Sequence, residues 1–270
     1  MPQKINHNVV YNRQQITLYG WKSQVLGDNT NLLKSVANWR DCGGLPTLDG
    51  RRSRSGMLYR SGDPSHARGA ALRDLKRLGL RTIIDLRSPR ERRHKVATLL
   101  GVRTLSIPIA LAELTAERLR GVLYKRRAEP AIVDVMVSVY RDMVDLAAAP
   151  VGAILRLLLD PQSYPVLIHC RAGKDRTGFA CAVIQLVLGV APQAVIWDYL
   201  RSGDTTAPAV RRSLLWLRCL TLGLAPTGNL ATVYATQPGY LQASLDRIAV
   251  AYGGLGAYLA QAGFPESGFA

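Results

Sequence analysis

Ten consecutive residues in the second half of the chain combine a nucleophile with an expected site for an anion. They are His169, Cys170, Arg171, Ala172, Gly173, Lys174, Asp175, Arg176, Thr177 and Gly178. The cysteine follows a short apolar run, and we expect a helix to begin near Thr177. Backbone N–H groups of such a loop and of the first helical turn can converge on one point and bind a phosphate. The spacing therefore predicts a cysteine at the floor of a phosphate cradle formed by these residues.

The residue types in this loop suit attack on phosphorus. The loop N–H groups, the helix dipole and Arg176 favour the thiolate form of Cys170, which is a nucleophile. Arg176 can bind two phosphoryl oxygens at once through its planar guanidinium. Gly173 permits a sharp turn, and the Thr177 hydroxyl can hydrogen-bond the thiolate when it departs in a second step. We therefore expect transfer of a phosphoryl group to Cys170, followed by hydrolysis.

Other interpretations of this loop explain less of it. In one, Cys170 is only a buried residue at a strand end, and Lys174 and Arg176 solvate the loop. A nucleotide-binding loop of the Walker type needs Gly, and Ser or Thr, where this chain has Ile168 and Asp175. The cysteine loop of rhodanese-type sulfurtransferases is shorter. A phosphate ester is therefore the expected substrate.

Short apolar runs predict the elements that must position this loop. Strands are expected at 57–60, 82–86, 102–109 and 165–169, and helices at 67–78, over most of 115–159, and from the loop to about 188. Further helices follow to the C-terminus. This alternation is typical of a mainly parallel α/β sheet flanked by helices on both faces. Because ligands bind beyond the C-terminal ends of such strands, the loops after Leu86 and His169 should meet at the site.

The formal net charge of +16 is confined to one half of the chain. The excess of Lys and Arg lies in residues 1–127, whereas residues 128–270 carry equal numbers of acidic and basic side chains. A basic surface favours an anionic partner, such as a phosphate ester, an acidic lipid surface or a nucleic acid. No helix-turn-helix, zinc spacing or aromatic RNA-binding motif accompanies it, so we expect no nucleic acid. Transient contact with an acidic membrane is a further expectation.

The composition indicates a globular protein without a transmembrane segment or a disulfide framework. A hydrophobic fraction of 48% is close to the globular average and excludes disorder of the whole chain. No apolar run reaches the ~20 residues that cross a bilayer. The N-terminus lacks the apolar core of a secretory signal, and the four cysteines have no paired spacing. We therefore expect a cytoplasmic protein, or one secreted by a route independent of a signal peptide.

The loop contains the signature H-C-x5-R-[ST] of cysteine-based phosphatases. The chain resembles the bacterial atypical tyrosine/dual-specificity phosphatases, whose loop reads HCxAGKDRTG. Other blocks of the family have counterparts here: NWRDCGGL at 38–45, LYRS at 58–61, IDLR at 84–87, DYLRS at 198–202 and the helical stretch 240–259. The resemblance covers about 36–265 and implies a protein tyrosine phosphatase-like fold in a single phosphatase domain, after an N-terminal extension at 1–35. It implies no metal and no cofactor.

The expected function is hydrolysis of phosphotyrosine in proteins through a phosphocysteine intermediate at Cys170, with phosphoserine and phosphothreonine as further substrates. Some members of the family also dephosphorylate phosphoinositides, and Lys174 would suit a substrate with more than one phosphate. Equally, Lys174 would support the charge of a single phosphate. A third hypothesis is a non-catalytic module that binds phosphate or acidic surfaces, but Cys170, Arg176 and Thr177 are all present.

The sequence offers more than one candidate for the residue that donates a proton to the leaving group. A phenolate (pKa about 10) needs an acid in order to leave, and the same group then activates water. The resemblance favours Asp175, inside the signature, over Asp85 at the neighbouring strand end. The alternative role for Asp85 is to support the loop through a salt bridge to an arginine. Asp41 and Asp63 are further candidates.

The remaining cysteines and aromatic residues are expected to have packing roles, while His169 orients the loop through hydrogen bonds. Cys42 is either a small apolar residue or close enough to Cys170 for a reversible disulfide. Cys181 and Cys219 lie in apolar helical stretches and should be buried. Five aromatic residues of the helical regions should also pack: Trp197, Tyr199, Trp216, Tyr240 and Tyr258.

Overall fold

The structure of the chain is a computed structural model, and it describes residues 36–92, 101–222 and 224–264. The expected N-terminal extension, residues 1–35, lies outside these ranges, as do residues 93–100 of the basic half. Residues 204–209 are described as helical backbone only.

A five-stranded sheet forms the centre of the fold. Its strands are β1 (Arg40–Asp41), β2 (Leu58–Ser61), β3 (Thr82–Asp85), β4 (Arg103–Ser106) and β5 (Val166–His169). They lie in the order β1-β2-β5-β3-β4, and among these strands only β1 runs antiparallel to its neighbour. The mainly parallel sheet is therefore confirmed. The sequence did not predict β1, because its two residues lie in a turn-rich segment without an apolar run.

Eight α-helices surround the sheet within the described residues. They are α1 (Gly69–Arg77), α2 (Leu111–Leu119), α3 (Glu129–Leu158), α4 (Asp175–Val187), α5 (Pro192–Leu220), α6 (Thr227–Tyr234), α7 (Pro238–Tyr252) and α8 (Leu255–Gln261). The predicted helix over 115–159 is thus two helices, and the second begins with Pro130 in its first turn. Proline is accepted there because first-turn N–H groups have no partner within the helix. In the described part of the chain, no helix is both long enough and apolar enough to cross a membrane.

Alternate residues of the strands enter two separate cores, one on each face of the sheet. Ile83 and Leu167 pack with Leu75 of α1 in the smaller core. Ile84 and Ile168 belong to the larger core, which contains α3 and α4. All four strand residues are fully buried. The sheet is therefore covered on both faces, as strands that are apolar throughout require.

The carboxyl ends of three strands meet at one edge of the sheet. The register pairs Ser61 of β2 and Asp85 of β3 with His169 of β5. Cys170 therefore follows a central strand, with the ends of β2 and β3 on either side. The N–H of Leu86 donates to the carbonyl oxygen of His169 at 2.9 Å, so the loops after these two residues lie side by side, as the sequence predicts.

Candidate active site

The loop that follows β5 makes a tight turn against the end of β2; we call residues 170–176 the signature turn. Gly173 has φ +68°, in the left-handed region that favours glycine. A Cβ there would lie 2.4 Å from both the backbone N of Gly62 and the carbonyl carbon of Ser61. Because these are backbone atoms that cannot swing aside, only glycine fits.

Three successive carbonyl groups of the signature turn are held from outside. In chain order, the carbonyls of residues 171–173 accept from the backbone N–H of Asp63 at 3.0 Å, from Asn38 Nδ2 at 2.7 Å and from Arg60 Nη2 at 3.0 Å. The C=O and N–H of one peptide unit point in opposite directions. The N–H groups of residues 172–174 are therefore directed into the turn, where they can bind an anion.

The sulfur of Cys170 lies next to these N–H groups. The N–H of Gly173 donates to Cys170 Sγ at 3.2 Å. Helix α4 begins at Asp175, so the positive end of its dipole adjoins the turn. Hydrogen-bond donors and a helix N-terminus both stabilise a negative charge beside them. The geometry fits a nucleophile at the floor of an anion-binding turn.

A buried ion network fixes the outer side of the signature turn. Asp198 of α5 accepts from Arg40 Nε at 2.8 Å and from Arg60 Nη1 at 3.0 Å. Ser202 Oγ accepts from Arg40 Nη2 at 3.0 Å. Burial raises the pKa of Asp198, but the two guanidinium groups outweigh it and hold the pKa well below its usual range. Since Arg60 also binds the carbonyl of Gly173, this network sets the position of the turn.

Arg176 is held by a carboxylate that the sequence analysis missed. Glu91, in the loop after β3, accepts from Arg176 Nη1 at 2.5 Å and from Nη2 at 2.7 Å. Burial raises the pKa of Glu91, but hydrogen bonds from Arg176 and from the N–H of Ser88 outweigh it and lower the pKa to about 2. Glu91 takes the two terminal nitrogens, which leaves the Nε side of the guanidinium for an anion. Glu91 is the only acidic residue in the basic stretch 86–112. This isolated acidic residue is the sequence feature that could have identified it as a partner of an arginine.

Three of the four carboxylates considered as proton donors have both oxygens engaged. Asp41 accepts from two backbone N–H groups at 2.7 and 2.6 Å. Asp63 accepts from a backbone N–H at 2.9 Å and from Arg87 at 2.5 Å. Asp85 makes a paired contact with Arg87, and although burial raises the pKa of Asp85, the hydrogen bonds from Arg87 outweigh it and the pKa lies below its usual value. An ionised Asp85 suits loop support and not proton donation.

Asp175 differs, because a hydrogen bond from a buried tyrosine holds only one of its oxygens. The Tyr140 hydroxyl donates to Asp175 Oδ1 and lies 2.7 Å from the Tyr199 hydroxyl. Burial and the nearby Asp175 carboxylate raise the pKa of Tyr140 well above its usual value, so its hydroxyl remains a donor. Among the contacts of the described residues, those of the Asp175 carboxyl involve Oδ1. Oδ2 thus has no such contact within the described residues.

Lys174 has a different environment from that expected of a substrate-binding cation. Its Nζ donates to the carbonyls of Val233 and Ala235 at 3.0 Å each, at the C-terminal end of α6. It also lies 3.5 Å from Asp175 Oδ1. The side chain therefore ties the signature turn to α6, and direct contact with a substrate phosphate stays a prediction.

The other motif residues contribute mainly to the backbone around the turn. His169 Nδ1 lies 3.3 Å from the carbonyl oxygen of Cys170, and burial lowers the pKa of His169, so the ring is neutral at pH 7. The Thr177 hydroxyl is buried and has no partner among the described residues, and its contact with the thiolate stays a prediction. A Cβ at Gly178 would lie 2.9 Å from the Tyr199 ring, so glycine there allows close packing of α4 against α5. Contact of Gly178 with the substrate stays a prediction.

The remaining cysteines agree with the prediction only in part, since Cys42 and Cys181 are buried and Cys219 is not. Cys42 Sγ lies 3.7 Å from Cys181 Sγ, and both side chains are buried. The sulfur contact of Cys42 within the described residues is thus with Cys181 and not with Cys170. Burial of Cys181 is confirmed, whereas Cys219 is exposed. Among the described residues, no group of three or more His, Cys, Asp or Glu side chains is arranged so that it could hold a metal ion.

A parallel sheet that delivers a cysteine into an anion-binding turn defines the class of cysteine-based phosphatases. The model of the tyrosine phosphatase family matches residues 32–269, and the chain belongs to that family. A curated protein of Cupriavidus necator, provisionally named a tyrosine-protein phosphatase, is 33% identical over 243 residues, which cover 89% of this chain and 86% of that protein. The triple specificity protein phosphatase PtpB of Mycobacterium tuberculosis is 30% identical over 264 residues, which cover 87% of this chain and 94% of PtpB.

A solved structure with a similar arrangement is the core catalytic domain of the PP-IP phosphatase Siw14 from S. cerevisiae. It is 18% identical, covers 62% of this chain and 76% of its own, and has a TM-score of 0.38. The family match, which spans nearly the whole chain, establishes a cysteine-based protein-tyrosine phosphatase.

The ion pair between Glu91 and Arg176 predicts a pH-dependent contribution to stability. The pKa of Glu91 is about 2 in the folded state against an ordinary value of 4.5, so its contribution is present above about 4.5 and is lost as the pH falls toward 2. The difference in free energy of unfolding between the wild type and Glu91→Gln should therefore shrink between about pH 5 and pH 2. Urea unfolding at each pH measures it, with the exposed Glu117→Gln as control. A difference that does not change with pH would contradict the ion pair.

Proposed function

We propose that this phosphatase hydrolyses phosphotyrosine in proteins through a covalent phosphocysteine intermediate at Cys170. The observation that carries the proposal is the orientation of the signature turn, whose carbonyls at 171–173 are bound from outside. The N–H groups of 172–174 and the Nε side of Arg176 then surround the position of a phosphoryl group above the sulfur. These donors stabilise the charge that spreads over its three oxygens in the transition state.

In the first step, the Cys170 thiolate attacks phosphorus. An S–P bond forms while the bond between phosphorus and the tyrosine oxygen breaks. Asp175 transfers a proton from Oδ2 to the departing phenolate oxygen and becomes ionised. The hydrogen bond from Tyr140 to Oδ1 orients the carboxyl and stabilises the carboxylate that this transfer leaves.

In the second step, water attacks the phosphocysteine. The Asp175 carboxylate takes a proton from that water, the S–P bond breaks, and inorganic phosphate and the Cys170 thiolate are released. The unpartnered hydroxyl of Thr177 is available to donate to the sulfur as it regains its charge. Glu91 keeps Arg176 fixed through both steps, because it holds the terminal nitrogens of the guanidinium.

The environment of Lys174 favours a single phosphate over a phosphoinositide with several phosphates. Its ammonium is bound by two carbonyls of α6, so it would have to leave both in order to reach a second phosphate. We propose phosphorylated proteins as the substrates, with phosphoserine and phosphothreonine as additional targets. The relative PtpB is itself named a triple specificity protein phosphatase.

The proposed phosphatase domain spans 36–265, with residues 1–35 as an extension. It is proposed to act without a cofactor or a metal, and its proposed location is the cytoplasm or the exterior of the cell.

The role of Cys170 is tested by phosphate release from a phosphotyrosine peptide. Cys170→Ser should lower the rate by about three orders of magnitude or more, because the hydroxyl is a far weaker nucleophile at neutral pH. Cys219→Ser, which changes an exposed cysteine, is the matched control and should retain the rate of the wild type. Release that survives Cys170→Ser would contradict the proposed nucleophile.

The role of Asp175 is tested by varying the leaving group. Asp175→Asn should lower kcat for phenyl phosphate by about 10²- to 10⁴-fold, and much less for an aryl phosphate whose phenolate leaves without protonation. Asp85→Asn is the comparison variant: as a supporting residue, it should slow both esters to the same extent. If Asp175→Asn also slows both equally, Asp175 is not the acid.

A further inference from the structure

The end of α5 and the segment after it expose a concentration of large apolar side chains. The exposed fractions are 55% for Leu215, 67% for Trp216, 60% for Leu220, 90% for Leu222 and 88% for Leu224. We call residues 211–222 and 224 the apolar tip. The sequence predicted that Trp216 packs inside the protein, and that prediction is wrong. The site chemistry described above uses none of these residues.

The apolar tip is also basic and contains no carboxylate. Arg211, Arg212 and Arg218 are exposed, and the sequence has no acidic residue from 205 to 245. In a helix, residues four apart lie on the same face, so Arg211 lies beside Leu215 and Arg212 beside Trp216. The long arginine stems can follow an apolar surface while their charged ends remain in a polar layer.

The apolar tip lies at the end of a helical hairpin that is anchored at the active site. Helix α5 carries Asp198 and Ser202 of the buried ion network, and α6 returns to Lys174, which binds its C-terminal carbonyls. At 1.5 Å per residue, Leu220 is roughly 27 Å along α5 from Ser202. The apolar tip is thus an exposed surface far along α5 from the buried ion network.

We propose that the apolar tip docks on the surface of a membrane that contains anionic lipids. Trp216 and the exposed leucines enter the boundary between headgroups and acyl chains, and the three arginines contact the anionic headgroups. A second copy of the chain is a poorer partner, because a symmetric contact between two tips brings six arginines together without a carboxylate. The distribution of charge along the sequence predicts membrane contact by the basic half, residues 1–127, whereas the exposed apolar surface lies in the neutral half.

Docking is measured with the full chain and sedimented vesicles. The wild type should bind vesicles of phosphatidylcholine mixed with phosphatidylglycerol, bind phosphatidylcholine alone weakly, and dissociate as salt is added. Tryptophan emission should shift to shorter wavelength on binding, and Trp216→Phe should abolish the shift. Absence of binding to the anionic vesicles would overturn the proposal.

Matched pairs of variants locate the docking surface. Leu222→Ser/Leu224→Ser should weaken vesicle binding by about ten-fold or more, whereas Val250→Ser, which changes a residue 87% exposed on α7, should not. Arg211→Gln/Arg212→Gln should remove the preference for anionic lipid, and Arg120→Gln/Arg126→Gln, on exposed residues of the basic half, should not. The reverse pattern would assign docking to the basic half and overturn the proposal.

Two further measurements separate docking from other effects of these variants. Hydrolysis of a soluble aryl phosphate should be unchanged in the Leu222→Ser/Leu224→Ser variant, which shows that the protein is folded, and vesicle binding does not depend on catalysis. Sedimentation velocity reports self-association. The proposal is contradicted if the wild type forms a dimer that this variant does not form, and if the wild type also fails to bind vesicles. That result would show that a second copy of the chain covers the apolar tip.

Discussion

The anion-binding turn depends on three backbone carbonyls being bound on its outer side. If any of these peptide units turned over, a carbonyl oxygen would face the phosphate and repel it. Asn38, the N–H of Asp63 and Arg60 prevent this by holding the carbonyls of 171–173. The hydrogen bond from the Gly173 N–H to Cys170 Sγ and the proposed binding of the phosphoryl oxygens both follow from this one constraint.

One of those donors depends in turn on a distant part of the chain. Arg60 is positioned by Asp198, which it shares with Arg40, so a residue of α5 controls the shape of a turn that precedes α4. Removing one partner of such a buried ion network is costly, because the remaining charge has lost its compensation. The blocks around 38–45, 58–61 and 198–202, far apart in sequence, therefore act as one support.

The sequence predicted the sheet and the signature turn because each depends on a pattern of contiguous residues. A run such as that of β5 is apolar throughout, and the nucleophile, the glycine and Arg176 follow it directly. Contacts between distant residues carry no such local pattern. Glu91 meets Arg176 and Tyr140 meets Asp175 only after folding, and the composition of α5 does not distinguish an exposed Trp216 from a buried one.

In the folded protein, part of the excess of basic residues in 1–127 is buried and has a structural role. Arg40, Arg60 and Arg87 belong to the basic half, yet each is at most 2% exposed. Part of the charge in residues 1–127 is thus internal support for the active site and not a surface for acidic partners. The exposed combination of arginines and apolar side chains lies instead on the apolar tip.

The central claim is that the outward-held carbonyls create the phosphate site, and a crystal structure of Cys170→Ser with a phosphotyrosine peptide tests it most directly. The account predicts that the phosphoryl oxygens accept from the N–H groups of 172–174 and from the Nε side of Arg176, with Glu91 still on the terminal nitrogens and Lys174 still on α6. A phosphoryl group bound through Lys174, or a turn with a carbonyl directed at the phosphate, would contradict it.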